Sequence, residues 1–549
     1  MNRNTEQHFS TNPTVNIGRS KFDRGHTHKT SFSCGDLIPI FCDTTIMPGD
    51  SVKMRMSEVV RMMTPLVPVM DNAFLDTYFF YVPYRLIWPH FREFMGENTT
   101  APWIQSQEYE IPQIIAPENG WKKGSLADYM GYPTEIGEYK ASALPFRAYA
   151  LIWNEWFRDE NLKNPCYISE GETDLQGTDK TTLGANYDYV TDTEKGAAPC
   201  KAAKIHDYFT SCLPGAQKGP AVEIPLGTSA PVMYGDYIDS TGGTTETDAN
   251  LKGKDAQLYQ INNGHLTATG RSREGQPGGQ LSGTHGVGLY TDLTKAVGAT
   301  VNQLRQAFAV QKFYENQALG GTRYIEMIKA HFGVTNPDFR MQRPEYLGGE
   351  RIPINMNQVV TTYETTGNDP VGTTGAYSVT SNVNEDIFTH SFTEHGILMG
   401  LAVVRTTHTY QQGLNAQFSK KKMVDFYFPE FAHLGNTAVL NKEIYLQGTT
   451  TDEEAFGYQE AWAAERYFPD IVTGELRSNY SQSLDAWHYA DDYNALPTLS
   501  SEWIDETTEN MARTLAVQNH DQLFGDFYFG AIYTRPMPLF SIPGLIDHM

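Results

Sequence analysis

The sequence predicts a mainly β protein, an antiparallel double-sheet jelly roll whose strands are separated by long insertions of helices and loops. Three observations point there. Strand signals lie near both ends of the 549 residues, at 37–41 and 74–82 and again at 526–534. Glycine (47) and proline (29) are frequent, which suits many turns and few long helices. Length alone would allow two to four domains. No stretch has the composition of a linker, however, so the strands are expected to share one body.

The elements follow in order. Leu37, Ile38, Ile40 and Phe41 form a short apolar run between Asp36 and Asp43, the pattern of a strand. Pro48, Gly49 and Asp50 make a turn, because proline presets φ and glycine supplies positive φ. Residues 74–82 (FLDTYFFYV) are aromatic and branched, which suits a pleated surface, and Pro83 ends the ladder. Leu86, Ile87, His90, Phe91 and Phe94 recur at helical spacing around Pro89, so a kinked or two-piece helix is expected, stopped by Gly96. Pro145 opens a helix with Phe146, Tyr149, Ala150, Trp153 and Phe157 on one face, read as core packing. Residues 169–196 are polar. Residues 226–291 are richer still in Gly and Thr and cannot easily build a core, so they read as a projecting surface insertion.

Helical pattern returns at 294–319, with Val297, Val301, Leu304, Phe308 and Phe313 as a buried stripe, and again at 322–331. A polar loop is expected over 365–385, strand over 388–405, and a short helix over 458–467. Residues 397–404 (ILMGLAVV) read as a fully buried central strand, being far too short to span a bilayer. No membrane insertion is expected, and the N-terminus lacks the apolar region of an export signal.

Charge and aromatic content bear on function. Charged residues are only 19 % and aromatics 12 %, a balance that favours extensive contact surface. The net charge is −23, which argues against nucleic acid as a partner of the whole surface. Residues 1–30 differ: Arg3, Arg19, Lys21, Arg24 and Lys29, with His26 and His28, make a basic arm suited to phosphate. Phe9, Phe22 and Phe32 are interleaved with these cations and suit base stacking. The competing readings are a solvated tail and aromatic anchors to neighbouring subunits. The cysteines, Cys34, Cys42, Cys166, Cys200 and Cys212, are odd in number and lack CxxC spacing, so buried free thiols are expected.

Catalytic signatures are weak. No P-loop or G-x-S-x-G occurs, Gly286 and Gly288 lack a strand-to-helix context, and 65 acidic residues guarantee chance carboxylate pairs. His26 and His28 lack further metal ligands. Asp485, Asp491 and Asp492, beside Trp487 and His488, form an acidic cluster whose oxygens suit a divalent cation; an ion-paired loop is the alternative. No enzyme and no cofactor is expected.

Several long strings resemble one family. SCGDLIPIFCDTTIMPGDSVKMRMSEVVRMMTPLVPVMDN and FLDTYFFYVPYRLIW resemble the start of the major capsid protein of the Microviridae, the gokushovirus branch above all. HDYFTSCLPGAQKGPAVEIPLG, FGVTNPDFRMQRPEYLGG, EHGILMGLAVVRTTHTYQQGLN, FPEFAHLGNTAVLNKEIY and FGYQEAWAAERYFPDIVTGELRS continue the likeness in order. Residues 227–291 carry none of it. The resemblance implies an eight-stranded viral capsid β-sandwich. It implies sixty copies in a T=1 icosahedral shell around circular single-stranded DNA, assembled in the cytoplasm of a bacterial host. The implied organisation is an inward basic arm (1–30), a first part of the jelly-roll body (31–226), a threefold protrusion (227–291) and a second part of the body (292–549). Implied partners are further copies of the chain, the DNA, a minor capsid or DNA pilot protein, an internal scaffolding protein and, through the protrusion, a host receptor. Tyr324, Phe339, Tyr346, Trp462 and Tyr467 are candidate contact residues. The alternatives are a carbohydrate-binding or carbohydrate-cleaving jelly-roll protein, and a nucleic-acid scaffold that encloses nothing.

Overall fold

A computed structural model describes residues 18–98, 108–180, 187–220, 222, 300–354 and 380–541. It also describes the strands at 232–234, 259–262, 265–268, 289–291, 358–360 and 374–377. Two units are distinguished, residues 219–315 and the remainder.

The larger unit is built on two antiparallel sheets. Its main strands are β1 (Ser20–Asp23), β2 (His26–Phe32), β3 (Ile38–Ile46), β4 (Ser51–Met62), β5 (Ala73–Pro83), β6 (Glu345–Pro353), β7 (Thr380–Ser391), β8 (Gly396–Thr406) and β9 (Leu523–Arg535). In the first sheet β9 lies between β4 and the pair β1 and β2, and β7 forms the far edge beyond β4. In the second the order is β6-β5-β8-β3. β1 and β2 pair with successive parts of β9, from Ser20↔Arg535 to Phe32↔Leu523.

Alternation explains how the sheets meet. Met54 and Met56 of β4 and Phe527, Phe529, Ala531 and Tyr533 of β9 point inward, where they share one core with Leu75, Phe79, Leu398, Ala402 and Val404. Phe529 packs edge-on against Phe41 (5.1 Å) and Phe79 (6.2 Å) of the other sheet. Gly400 is required between them: a Cβ there would lie 2.8 Å from the Phe79 ring and 2.9 Å from Phe41. The opposite face of the second sheet carries Phe80, Val82, Ile397, Met399, Leu401 and Val403. These pack against helix α1 (Leu144–Ile152) and its π-helical continuation through Phe157, with Phe146, Tyr149 and Trp153 fully buried. The second sheet is thus covered on both faces, which is why β8 reads as uninterrupted apolar sequence.

Local expectations hold in several places. Gly49 turns at φ +89°, and the segment around Pro89 is two short helices, Tyr84–Ile87 and Phe91–Phe94, ended by Gly96 at φ +95°. All five cysteines are free. Other expectations are corrected. The strand expected at 388–405 is two strands in different sheets, because residues 392–395 turn the chain from β7 to β8. The polar loop expected at 365–385 contains the strand Thr374–Tyr377, paired with Gln358–Val360, and is strand again from Thr380, where β4 supplies the ladder and Asn382 and Asn384 bond to Glu350. The helix expected at 458–467 begins as strand Ala455–Glu460, paired with Asn436–Leu440, and only Ala463–Arg466 is helical. Helix α2 (Val301–Gly320) forms, but its stripe is not core: Val301 and Phe308 are 65 % and 64 % exposed. Helical period specifies a face but not the molecule that covers it. Val297 lies outside the described residues. Helix α3 (Tyr324–Phe332) matches the second helical signal.

Where the sheets approach at β4 and β6, Glu58 and Glu350 face each other. Asn382 donates to both, at 3.4 Å and 3.0 Å. Burial first, and then repulsion from Glu350, raise the Glu58 carboxyl from 4.5 to about 7. Its folded value lies above its unfolded one. The associated stability is therefore complete below about pH 4.5 and is lost as pH rises through 7. Replacement by the neutral amide, Glu58→Gln, is expected to stabilise the chain by about 1–3 kcal/mol at pH 8 and to change it little at pH 4.5. Urea unfolding of the unassembled chain at the two pH values measures this; equal gains at both would contradict it.

Candidate assembly surface and its buried support

Residues 416–434 (AQFSKKKMVDFYFPEFAHL) set apolar side chains in water on an ordered scaffold. Three short turns, Ala416–Phe418, Met423–Asp425 and Pro429–Phe431, shape the segment. The Asp425 carboxylate accepts from the backbone N–H groups of Lys421 and Lys422, both at 2.7 Å. Trp462 supports the segment by donating its indole N–H to the Phe431 carbonyl at 2.8 Å, with Tyr427 edge-on to its ring at 5.5 Å. Trp462 holds φ at +66°, a conformation unfavourable for a bulky residue and kept only where surroundings impose it. On this frame Phe418 and Met423 are 70 % and 75 % exposed, and Val424, Phe426, Tyr427 and Leu434 are exposed as well. A lone soluble subunit rarely displays so much apolar surface in one segment, and such surface marks contact with another macromolecule.

Other segments expose apolar side chains too. Tyr324, Phe332, Phe339, Tyr467, Phe468 and Ile471 are exposed. Of the aromatics expected to make contacts, Tyr324, Phe339, Tyr346 and Tyr467 lie at the surface, whereas Trp462 is half-buried as a support. The sequence signal for residues 416–434 was faint: dense aromatics beside three lysines, without the period of helix or strand.

The larger unit also holds a buried polar network. His408 sits between two carboxylates, Nδ1 at 3.1 Å from Asp491 and Nε2 at 3.1 Å from Glu506. Asp491 also accepts from Asn510 (2.5 Å) and the Tyr493 hydroxyl (2.9 Å), and the Lys204 ammonium stands 3.7 Å away. Thr406 donates to Glu506 at 2.9 Å. Burial alone would drive His408 neutral, but the Asp491 and Glu506 charges outweigh it and raise the imidazole to about 10. Burial likewise opposes ionisation of Asp491, and the His408 and Lys204 cations overcome it and lower its carboxyl. Every member is spoken for and enclosed, so this cluster fastens the chain after β8 to residues 485–515 and offers no reactive group to solvent.

This geometry corrects the acidic-cluster expectation. Asp491 is locked in the network, Asp492 bonds Gln412 at 2.9 Å, and Asp485 stands 3.8 Å from Arg513. The three do not converge on one point, and no described group of three or more His, Cys, Asp or Glu is arranged to hold a metal. His488 is tied to the Leu476 carbonyl at 2.7 Å.

The basic-arm expectation also changes. Arg3 and Phe9 lie outside the described residues. Residues 20–23 and 26–32 are sheet strands, so the boundary at residue 30 falls inside a strand and alternate side chains turn inward. Phe32 is fully buried in the core and cannot stack on bases, and Phe22 packs against the same core. His28 bonds the Ile40 carbonyl at 2.8 Å, and His26 lies by the Phe41 and Phe529 rings. Arg24 pairs with Asp43 at 2.6 Å and stacks on Tyr533. Arg19 donates to the Gly49 carbonyl and the Ser51 hydroxyl at 2.5 and 2.9 Å. Lys21 and Lys29 stay exposed, on the outer face of the first sheet.

Known proteins agree along the whole length. A family profile described as "Capsid protein (F protein)" matches residues 10–545. The chain is 40 % identical to the capsid protein VP1 of Bdellovibrio phage phiMH2K, covering 98 % of each. It is 40 % identical to the capsid protein VP1 of Spiroplasma virus 4 (96 % of each). With the capsid protein VP1 of Chlamydia phage 1 it shares 36 %, over 98 % of this chain and 97 % of that one.

The buried network yields a pH-dependent expectation. The folded imidazole value of about 10 exceeds the ordinary 6.5, so its stabilisation is full below pH 6.5 and lost as pH rises through 10. His408→Ala leaves two buried carboxylates facing each other and is expected to cost about 3–5 kcal/mol at pH 6. Denaturant unfolding should show the gap to the unsubstituted chain narrowing as pH rises from about 6.5 to about 10; a constant gap would refute the assignment.

Proposed function

The chain belongs to the capsid F-protein family of the Microviridae, a structural protein of the virion and not an enzyme, and on that footing we propose that sixty copies close a T=1 icosahedral shell around circular single-stranded DNA. The ordered apolar segment at 416–434 carries this reading. Its side chains gain most when a second copy covers them, and symmetry repeats each such contact throughout a closed shell.

Strand order supports the finer fold reading of an eight-stranded jelly roll. Counting β1 and β2 as one interrupted strand gives two layers of four, (β1/β2)-β9-β4-β7 and β6-β5-β8-β3. Neighbours in each layer are mostly distant in sequence, as folded-over Greek keys generate. Residues 227–291 are read as a threefold protrusion used for host attachment. Within the unit 219–315, Val232–Tyr234 pairs with Leu289–Thr291, which brings the ends of that segment together. A DNA pilot protein and an internal scaffolding protein are the further partners of this reading, with assembly in the bacterial cytoplasm.

The purified 61.6 kDa chain is expected to form megadalton particles that shield their DNA from nuclease. Phe418→Asp with Met423→Asp should leave the subunit folded by circular dichroism while abolishing particles in electron micrographs. A persistent monomer from the unsubstituted chain, or normal particles from the double variant, would count against the proposal. Deleting residues 239–288, whose ends the 232–234 and 289–291 ladder already joins, should give soluble folded subunits; insoluble product would place that segment in the core.

A further inference from the structure

We propose that Cys166 and Cys200 form a modification site: a buried thiol pair that hydrogen peroxide converts to a disulfide, stapling the layer that covers the second sheet to the edge of that sheet.

The two sulfurs are in contact, 3.8 Å apart, although the residues stand 34 apart in sequence. Both backbones are already clamped by one helix. The Cys166 N–H donates to the Asn154 side-chain oxygen at 2.7 Å, and the Asn154 amide donates back to the Cys166 carbonyl at 2.8 Å. The Cys200 N–H donates to the Tyr149 hydroxyl at 3.0 Å. That hydroxyl donates in turn to the Leu37 carbonyl at 2.7 Å, and the Leu37 N–H donates to the Cys200 carbonyl at 3.1 Å. Tyr149 lies on α1 and Asn154 on its π-helical continuation, and Leu37 leads into β3, the edge of the second sheet. A disulfide bond is about 2 Å long, so rotation of the two side chains closes it without moving either segment.

The two thiols are unequal. Burial opposes ionisation of Cys200, but its hydrogen bonds with Cys166 and Thr193 and the Lys163 charge outweigh it and lower its thiol. The same bond to Cys200, together with burial, raises the Cys166 thiol. The thiolate is the reactive form, so Cys200 attacks and Cys166 resolves. The Cys200 thiolate attacks one peroxide oxygen, the O–O bond breaks, and the departing hydroxide takes up the proton that the thiol gave up. The Cys166 sulfur then attacks the resulting sulfenic sulfur. The S–S bond forms, the S–O bond breaks, and the Cys166 proton leaves with that oxygen as a second water. Two electrons pass from the sulfurs to the peroxide. At 4 % and 2 % exposure the pair admits an oxidant little larger than water.

The other cysteines are a contrast within the same chain. Burial pushes Cys42 and Cys212 up to about 12 and raises Cys34 as well. The Cys34 and Cys212 thiols donate to the Val404 and Tyr208 carbonyls. A chain folded in a reducing cytoplasm keeps all its thiols, and the bond forms once it meets an oxidising medium. On the shell reading this hardens the particle after it leaves its host; the chemistry itself does not rest on that reading.

The test exposes the folded full-length chain, reduced and then freed of reductant, to hydrogen peroxide. Remaining thiols are capped with N-ethylmaleimide in denaturant before digestion and mass spectrometry. The expected product is a peptide pair joined through Cys166 and Cys200, with Cys34, Cys42 and Cys212 capped. The oxidised chain should melt about 3–8 °C higher, and a reductant should reverse the shift. Dimedone, which traps sulfenic acid, should label Cys200 in Cys166→Ser and leave Cys166 unlabelled in Cys200→Ser. Five capped cysteines after peroxide, a bridge through any other cysteine, or sulfinic acid at Cys200 of the unsubstituted chain would overturn the proposal. A bridge without a higher melting point would overturn its role as a staple, and dimedone on Cys166 alone would overturn the order of attack. The bridge is read in the unsubstituted chain, so neither variant has to fold for it to be decided. Failure to form particles would strike the shell reading and leave the bridge standing.

Discussion

The structure depends on the second sheet being dry on both sides. β8 has apolar residues on successive positions, so neither of its faces can meet water. One face is covered by the first sheet, through Phe41, Phe79 and Phe529. The other is covered by the long excursion between β5 and β6, through Phe146, Tyr149 and Trp153. Burying apolar area at about 25 cal/mol per Å² makes this three-layer stack the main source of stability. The layering also fixes what is left wet: the outer face of the first sheet and the segments between strands.

Polar groups are divided in the same way. Those inside are paired: His408 with Asp491 and Glu506, and Asp76 with Arg351 and Arg405. The Glu58–Glu350 contact is an exception, with like charges meeting where the sheets approach, and Asn382 shared between them. Acidic residues dominate the whole chain, yet the outer sheet face presents arginine and lysine beside exposed rings. Bulk charge is therefore a poor guide to any one face.

Much of the architecture was legible in the sequence, for a physical reason. Apolar alternation marks half-buried strands, and an unbroken run such as residues 397–404 marks a strand buried twice. The Pro89 and Gly96 punctuation also read correctly, because their backbone constraints are local. Three kinds of information were not local. The break at residues 392–395 depends on which sheet each flanking strand joins. The strand identity of residues 380–385 depends on pairing with β4. The exposure of Val301 and Phe308 depends on what packs beside helix α2, which its period does not specify. The candidate site failed to appear for the same reason. Phe32, His28 and Arg24 look like members of a basic arm until β9 lines up beside them, burying Phe32, half-burying His28 and placing Tyr533 under Arg24. The acidic trio dissolves once His408, 83 residues upstream, claims Asp491.

The pairing of β9 has a temporal consequence. This strand begins at Leu523, far along the chain from β2 and β4, and fills the gap between them. Until β9 has been made, the first sheet is missing an interior strand and the middle layer stays half uncovered. The nascent chain therefore cannot present a finished subunit to its fellows while it is still being made. The late arrival of β9 acts as a clock that sets when the two sheets can close on each other.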